Sequence, residues 1–147
     1  MIRVEWAYPW PALRIALRAR ARALADFRPL HEAAGQRLVD WLHRNFRAGG
    51  GLLQDQPAGW PPLAAATLRD RRRRGLGLDP LIASGRLSRG FAIDANTISV
   101  TVANPVPYAR FHQAGDGVPR RAIFPQSAQA GRIVFPDVLR HVQGALA

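Results

Sequence analysis

Apolar positions along the chain change their spacing near residue 90. Ahead of that point they recur every three or four places. Leu13, Leu17 and Leu24, with Ala21 filling the stripe and Phe27 closing it, predict a helix over residues 12–26. Leu30, Ala34, Leu38, Trp41, Leu42 and Phe46 predict a second helix, with Asp26 as a candidate cap and Pro29 tolerated in the first turn. One kinked helix running through Pro29 is the alternative. Gly49-Gly50-Gly51 ends this helical stretch, because consecutive glycines hold a helix poorly. Beyond residue 90 the spacing falls to two. Phe91 and Ile93 alternate, Asp94-Ala95-Asn96 turns, and Ile98, Val100 and Val102 alternate with Thr97, Ser99 and Thr101. This predicts an antiparallel hairpin over 91–103 with one packed face, stopped by Asn104-Pro105.

Shorter elements fit around these. Residues 2–6 read as a short strand broken by Tyr8-Pro9-Trp10-Pro11, and residues 49–62 as a loop that Trp60 anchors onto the core. Residues 62–74 read as a short helix with Leu63 and Thr67 facing one way, Thr67 buried and bonding a carbonyl one turn earlier. Asp79 to Gly85 is a turn into a short helical piece. Tyr108 to Gly115 makes one or two helical turns with Tyr108, Phe111 and His112 on one side. Ile133-Val134-Phe135 reads as a short edge strand stopped by Pro136. Asp137 then caps a final helix whose apolar face is Val138, Leu139, Val142 and Leu146. The expected fold is α+β: N-terminal helices packed on a small antiparallel β-sheet, with a short C-terminal helix, in a single domain spanning residues 1–147.

Composition narrows the function classes. A chain of 147 residues buries roughly 70% of its unfolded surface, enough for a real core. There are no cysteines, so disulfides and thiolate metal sites are excluded. No run of apolar residues is long enough for a membrane span, and the start of the chain does not read as a signal peptide, which points to assembly in a cytoplasm. The net charge is +11, and all 21 basic residues are arginine. Base composition of a GC-rich genome explains this blandly; planar bidentate contact with carboxylates or phosphates explains it more sharply. Either way, the surface attracts acidic partners.

Two arginine clusters are candidate partner surfaces. Arg14, Arg18 and Arg22 sit four apart on one helix face, where like charges disfavour each other. Arg69, Arg71, Arg72, Arg73 and Arg74 form a run interrupted only by Asp70. Each cluster is read either as a solvated face or as a contact with an acidic protein; the run is also read as a nucleic-acid contact, though no aromatics interleave it for base stacking. Trp6 and Trp10 are read as packing residues, with an interface role as the minority reading. The histidines at 31, 43, 112 and 141 show no metal-ligand spacing, and no nucleophile or carboxylate is predictably placed beside any of them. His112 is therefore read as a structural histidine. No catalytic, cofactor-binding or metal-binding residue is assigned, and no enzyme activity is expected.

The ordered set Trp60, Pro62, Leu63, Thr67, the arginine-rich segment, Ser84, Gly85 and Leu87, the alternating strand, then Tyr108, Ala109, His112, Gln113, Gly115, Pro119 and Arg121 resembles the virion morphogenesis (tail completion) proteins of Mu-like tailed bacteriophages. The likeness covers roughly residues 26 to 124. It departs where Ala122 stands in place of an expected proline, and residues 125–135 look like an insertion. The resemblance implies a structural virion protein at the head–tail junction, or neck, a tail completion or terminator-like component. It would self-associate in a ring, commonly of six subunits, and dock to the tail tube and head connector, with non-specific contact to packaged DNA. It also implies structural roles for Trp60, Leu63, Thr67, Ser84, Gly85, Leu87, Tyr108, His112, Gln113, Gly115 and Arg121. The alternative carried by charge alone is a basic nucleic-acid-binding module without catalytic activity, which lacks a recognisable binding signature here.

Overall fold

The computed structural model describes residues 18–22 and 25–146. The expected strand at 2–6, Trp6, Trp10, Arg14 and most of the first helix lie outside the described residues. Residues 18–22 are helical, with Arg18 and Arg22 exposed.

Helix α1, Arg28–Arg47, is the spine of the fold. The chain breaks before it: Asp26 accepts the N–H of Arg28 at 3.0 Å, and Pro29 occupies the first turn, where its missing donor costs nothing. The helix is therefore separate from the one before it and not a kinked continuation. Leu30, Ala34, Val39, Trp41, Leu42 and Phe46 are buried along it. Its end is closed by glycines in the left-handed region: Gly50, at φ 85°, donates its N–H to the Asn45 carbonyl at 2.9 Å.

Strands β1, Ala92–Ala95, and β2, Val100–Ala103, form one antiparallel pair with Ile93 opposite Val102. The turn lies at residues 96–99, two places later than the sequence suggests, because Asn96 closes it: its side-chain oxygen accepts the N–H groups of Ile98 and Ser99 at 2.8 and 2.9 Å. The hairpin lies on α1 at Gly35. A Cβ there would stand 2.7 Å from Ile93 Cγ2 and 3.1 Å from Val100 Cγ2, so the close approach needs glycine. His31 adds a tie, its Nδ1 donating to the Asn96 carbonyl at 2.6 Å.

Three short helices follow the loops: α2, Ala65–Arg73; α3, Arg86–Arg89; and α4, Ala109–Ala114. Leu87 of α3, Leu53, Trp60, Val106, Ala122 and Ile123 join Leu42 and Phe46 in one core. Phe91 bridges it, meeting Phe46 and Phe124 edge to face at 5.9 and 5.7 Å.

The C-terminal helix corrects the sequence reading. Helix α5, Ser127–Leu146, is 20 residues long, begins ten residues before the expected start and contains Pro136 internally. The edge strand expected at Ile133-Val134-Phe135 is its middle. Asp137 does not cap it; it lies buried inside it, gripped bidentately by Arg37 of α1 and by Arg140 at 2.7 Å. Those two cations hold the Asp137 carboxyl below the usual carboxylate range, the Arg37 hydrogen bonds contributing most. Of the apolar face expected for this helix, Leu139 and Val142 point outward, with Phe135, and are exposed. The inward positions include the polar Gln129 and Asp137 instead.

Candidate functional site

An open cleft of about 630 Å³ lies between α2, the turn at residues 81–86, the start of α4 and the loop at 119–121. The local chain explains each wall. Pro61 and Pro62 keep the chain extended up to α2; Leu63, just before the helix, and Thr67 and Arg71 on it line the cleft. Thr67 is exposed on the cleft wall and not buried, since none of the described residues covers the outer face of α2 there. Leu81 sits at φ 62°, rare for a branched side chain, and turns its buried side chain beneath the cleft floor. Gly85, at φ 74°, starts α3; a Cβ there would meet the Arg89 guanidinium at 2.5 Å. Tyr108, at the N-cap of α4, and His112, one turn on, form the third wall with their rings edge to face at 6.3 Å. Tyr108 is exposed on this wall.

Arg121 closes the back. It is only 6% exposed, yet it meets no carboxylate among the described residues; its Nε and Nη2 donate to the carbonyls of Pro61 and Pro62 at 2.9 and 3.0 Å. Arg71 similarly donates from Nη1 to the carbonyls of Gly77 and Asp79, both at 2.8 Å. Burial pushes the Arg121 guanidinium below its ordinary pKa, and the neighbouring Arg71 charge adds to this. His112 is also held below its usual value, by burial first and the Arg121 charge second, and its buried Nδ1 has no hydrogen-bond partner. Arg86 is a third cation on the rim, and among the described residues no Asp or Glu lines the cleft.

The remaining residues of the sequence pattern build the support. Trp60 is buried under Gly50, whose Cβ would lie 2.4 Å from the indole, and its Nε1 donates to the Ala122 carbonyl at 2.7 Å. Gln113 accepts the N–H groups of Ile123 and Phe124 at 2.7 and 2.9 Å. Gly115, at φ 80°, ends α4 where a Cβ would strike Arg120 at 2.8 Å. Ser84 is exposed and its carbonyl holds Arg89 at 2.8 Å. Leu87 is a core residue. Sequence reasoning missed Gln56, which accepts the Ala122 N–H at 3.1 Å and donates to the Arg120 carbonyl at 2.9 Å. A glutamine in a polar loop carries no periodicity signal that could have marked it.

The arginine run is not one solvated block lacking acidic partners. Asp70 pairs with Arg73 at 2.9 Å and Arg74 at 3.4 Å, both exposed pairs one helical turn away, and Arg71 folds back into the cleft. Arg69 and Arg72 are the members left facing solvent without a partner among the described residues. Among those residues no three His, Cys, Asp or Glu side chains gather closely enough to hold a metal ion. No helix there is long and apolar enough to cross a membrane.

The profile of the phage virion morphogenesis family matches residues 10–137, most of the chain. The chain belongs to that family. Searches of curated proteins and of solved structures return no match. The family's work is phage virion morphogenesis, and the role is that of a structural protein of a bacteriophage. The match runs through residues 125–135, which the sequence suggested as an insertion; they span the lead-in to α5 and its first half.

Proposed function

We propose that this phage virion morphogenesis protein is a subunit of a closed ring, of six copies, at the head–tail junction, where it completes the tail and docks tail tube to head connector. The observation that carries the reading within the family is the outer face of α5. Phe135, Leu139 and Val142 are 54%, 45% and 37% exposed and recur at helical spacing, one above another. A helix that turns its carboxylate inward and its phenylalanine outward has a surface suited to a neighbouring subunit. Rings need a head-to-tail interface, so this stripe would meet a different patch on the next copy. Trp6 and Trp10, outside the described residues, remain candidate anchors from the sequence, and the exposed Arg18, Arg22, Arg69 and Arg72 would face acidic neighbours, setting register and encounter rate more than affinity. With net charge +11, the ring's inner surface would also touch packaged DNA without sequence preference.

The test is the mass of the purified full-length protein by light scattering, for wild type and for Leu139→Glu. A ring-sized species that falls to monomer in the variant, with lysates then showing separate heads and tails by electron microscopy, supports the reading. A monomeric wild type that stays monomeric with its tail partner, together with joined and infectious particles from the variant, overturns it.

A further inference from the structure

We propose that the cleft between α2 and α4 is a docking site for an acidic, leucine-like peptide segment of another virion protein, with Arg71 and Arg121 receiving its carboxylate. This deepens the docking role above and rests on it. Two cations, one of them almost wholly buried, line the same cleft, yet each is satisfied only by backbone carbonyls. A buried charge without a counter-ion is expensive, and such an arrangement favours an incoming anion. The guanidinium fork matches a carboxylate, and Arg121 has Nη1 uncommitted to any partner among the described residues. His112 adds an unpartnered ring nitrogen in the same wall.

The occupant is a peptide and not a nucleic acid because of the other walls. Pro62, Leu63, Leu81 and Tyr108 give the cleft an apolar lining that suits an aliphatic side chain beside the carboxylate. A phosphate backbone would meet those side chains without compensation. The volume, about 630 Å³, is that of a pocket for a short segment and not of a groove that tracks a strand.

The experiment uses the full-length protein and three probes: a fluorescein-labelled octapeptide of alternating leucine and glutamate, its leucine and glutamine counterpart, and a short duplex DNA of random sequence. Fluorescence anisotropy should show the glutamate peptide binding about tenfold or more tighter than the glutamine one. Arg71→Gln should abolish that preference. Thr67→Trp, at an exposed position that leaves the fold intact, should block binding of the peptide by filling the cleft. The ring resonances of His112 should shift on titration with the glutamate peptide. Equal binding of the two peptides, no binding of either, or peptide binding that Thr67→Trp leaves unchanged overturns the proposal. So does DNA binding that Thr67→Trp blocks in place of the peptide's. If the protein proves monomeric with intact phage joining while the glutamate peptide still binds in this cleft, the ring reading fails and the peptide site stands.

Discussion

The side-chain amide of Gln113 stands where a neighbouring strand would: its oxygen takes the N–H of Ile123 at 2.7 Å, and the same oxygen takes that of Phe124. Its nitrogen returns a bond to the Phe124 carbonyl at 3.2 Å. Residues 120–124 thus cross the core without strand pairing, and Gln56, Trp60 and Gln113 supply the hydrogen bonds that buried backbone requires. Gln113→Leu leaves two backbone donors without acceptors in the interior. The expected loss is about 2–4 kcal/mol of unfolding free energy, read from urea midpoints at unchanged slope. A variant within experimental error of wild type would show that water or a backbone shift replaces the amide.

Asp137 gives α5 an acid-sensitive attachment to α1. Its folded pKa lies below the unfolded value, because Arg37 and Arg140 favour the carboxylate. The unfolded chain therefore binds more protons in acid, and the contribution is complete above pH of about 4 and lost as pH falls through the folded value. Thermal midpoints of wild type should fall in that acid window more steeply than those of Asp137→Asn, which should start lower at neutral pH. Parallel curves would exclude the attachment.

His112 should act in a different window. Burial and the Arg121 charge hold its folded pKa below the usual histidine value, with Arg71 beyond Arg121 and Tyr108 on the same wall. Stability contributed by the neutral ring is therefore full above pH of about 6.5 and declines as pH falls below it. Between neutral pH and pH of about 5, wild type should lose more stability than His112→Gln, measured by urea unfolding at each pH. An anionic peptide in the cleft should reduce that loss.

Within the arginine run the residues are not equivalent. Arg71→Ser removes the bonds that fix the Gly77 and Asp79 carbonyls and should destabilise the turn, by about 1–3 kcal/mol. Arg72→Ser, on the exposed side of α2, should stay within about 0.5 kcal/mol of wild type. Equal effects of the two would contradict the folded-back geometry of Arg71.

The contrast between α1 and α5 shows what was legible in the sequence. Every buried position of α1 but Gly35 and Asn45 is apolar, so its period could be read directly; the hairpin's alternation could be read too, but Ile98, read as part of its packed face, stands 87% exposed in the turn because Asn96 closes the chain there. In α5 the inward row includes Gln129 and Asp137, while Phe135, Leu139 and Val142 face out, so the apolar pattern reports the wrong face. Pro136 then reads as a stop, although the helix runs through it with the Arg132 carbonyl lacking its usual donor. The cleft was less legible still. Its walls come from four separate segments, and nothing local in Arg71 or Arg121 tells that their partners are carbonyls. Tyr108 and Thr67 carried no sign of which side they would present.

The threading of residues 120–124 through the core also sets a timetable. Ala122 and Ile123 are wholly buried, and Ala122 is held from Trp60 and Gln56 across 62 and 66 positions of chain. The apolar face of α1 therefore has no complete partner until those residues have left the ribosome. At roughly 5–20 residues per second, that stretch alone takes several seconds of synthesis. Throughout that interval Trp41, Leu42 and Phe46 await their cover, so the emerging chain carries apolar surface that its own later residues must reach to bury.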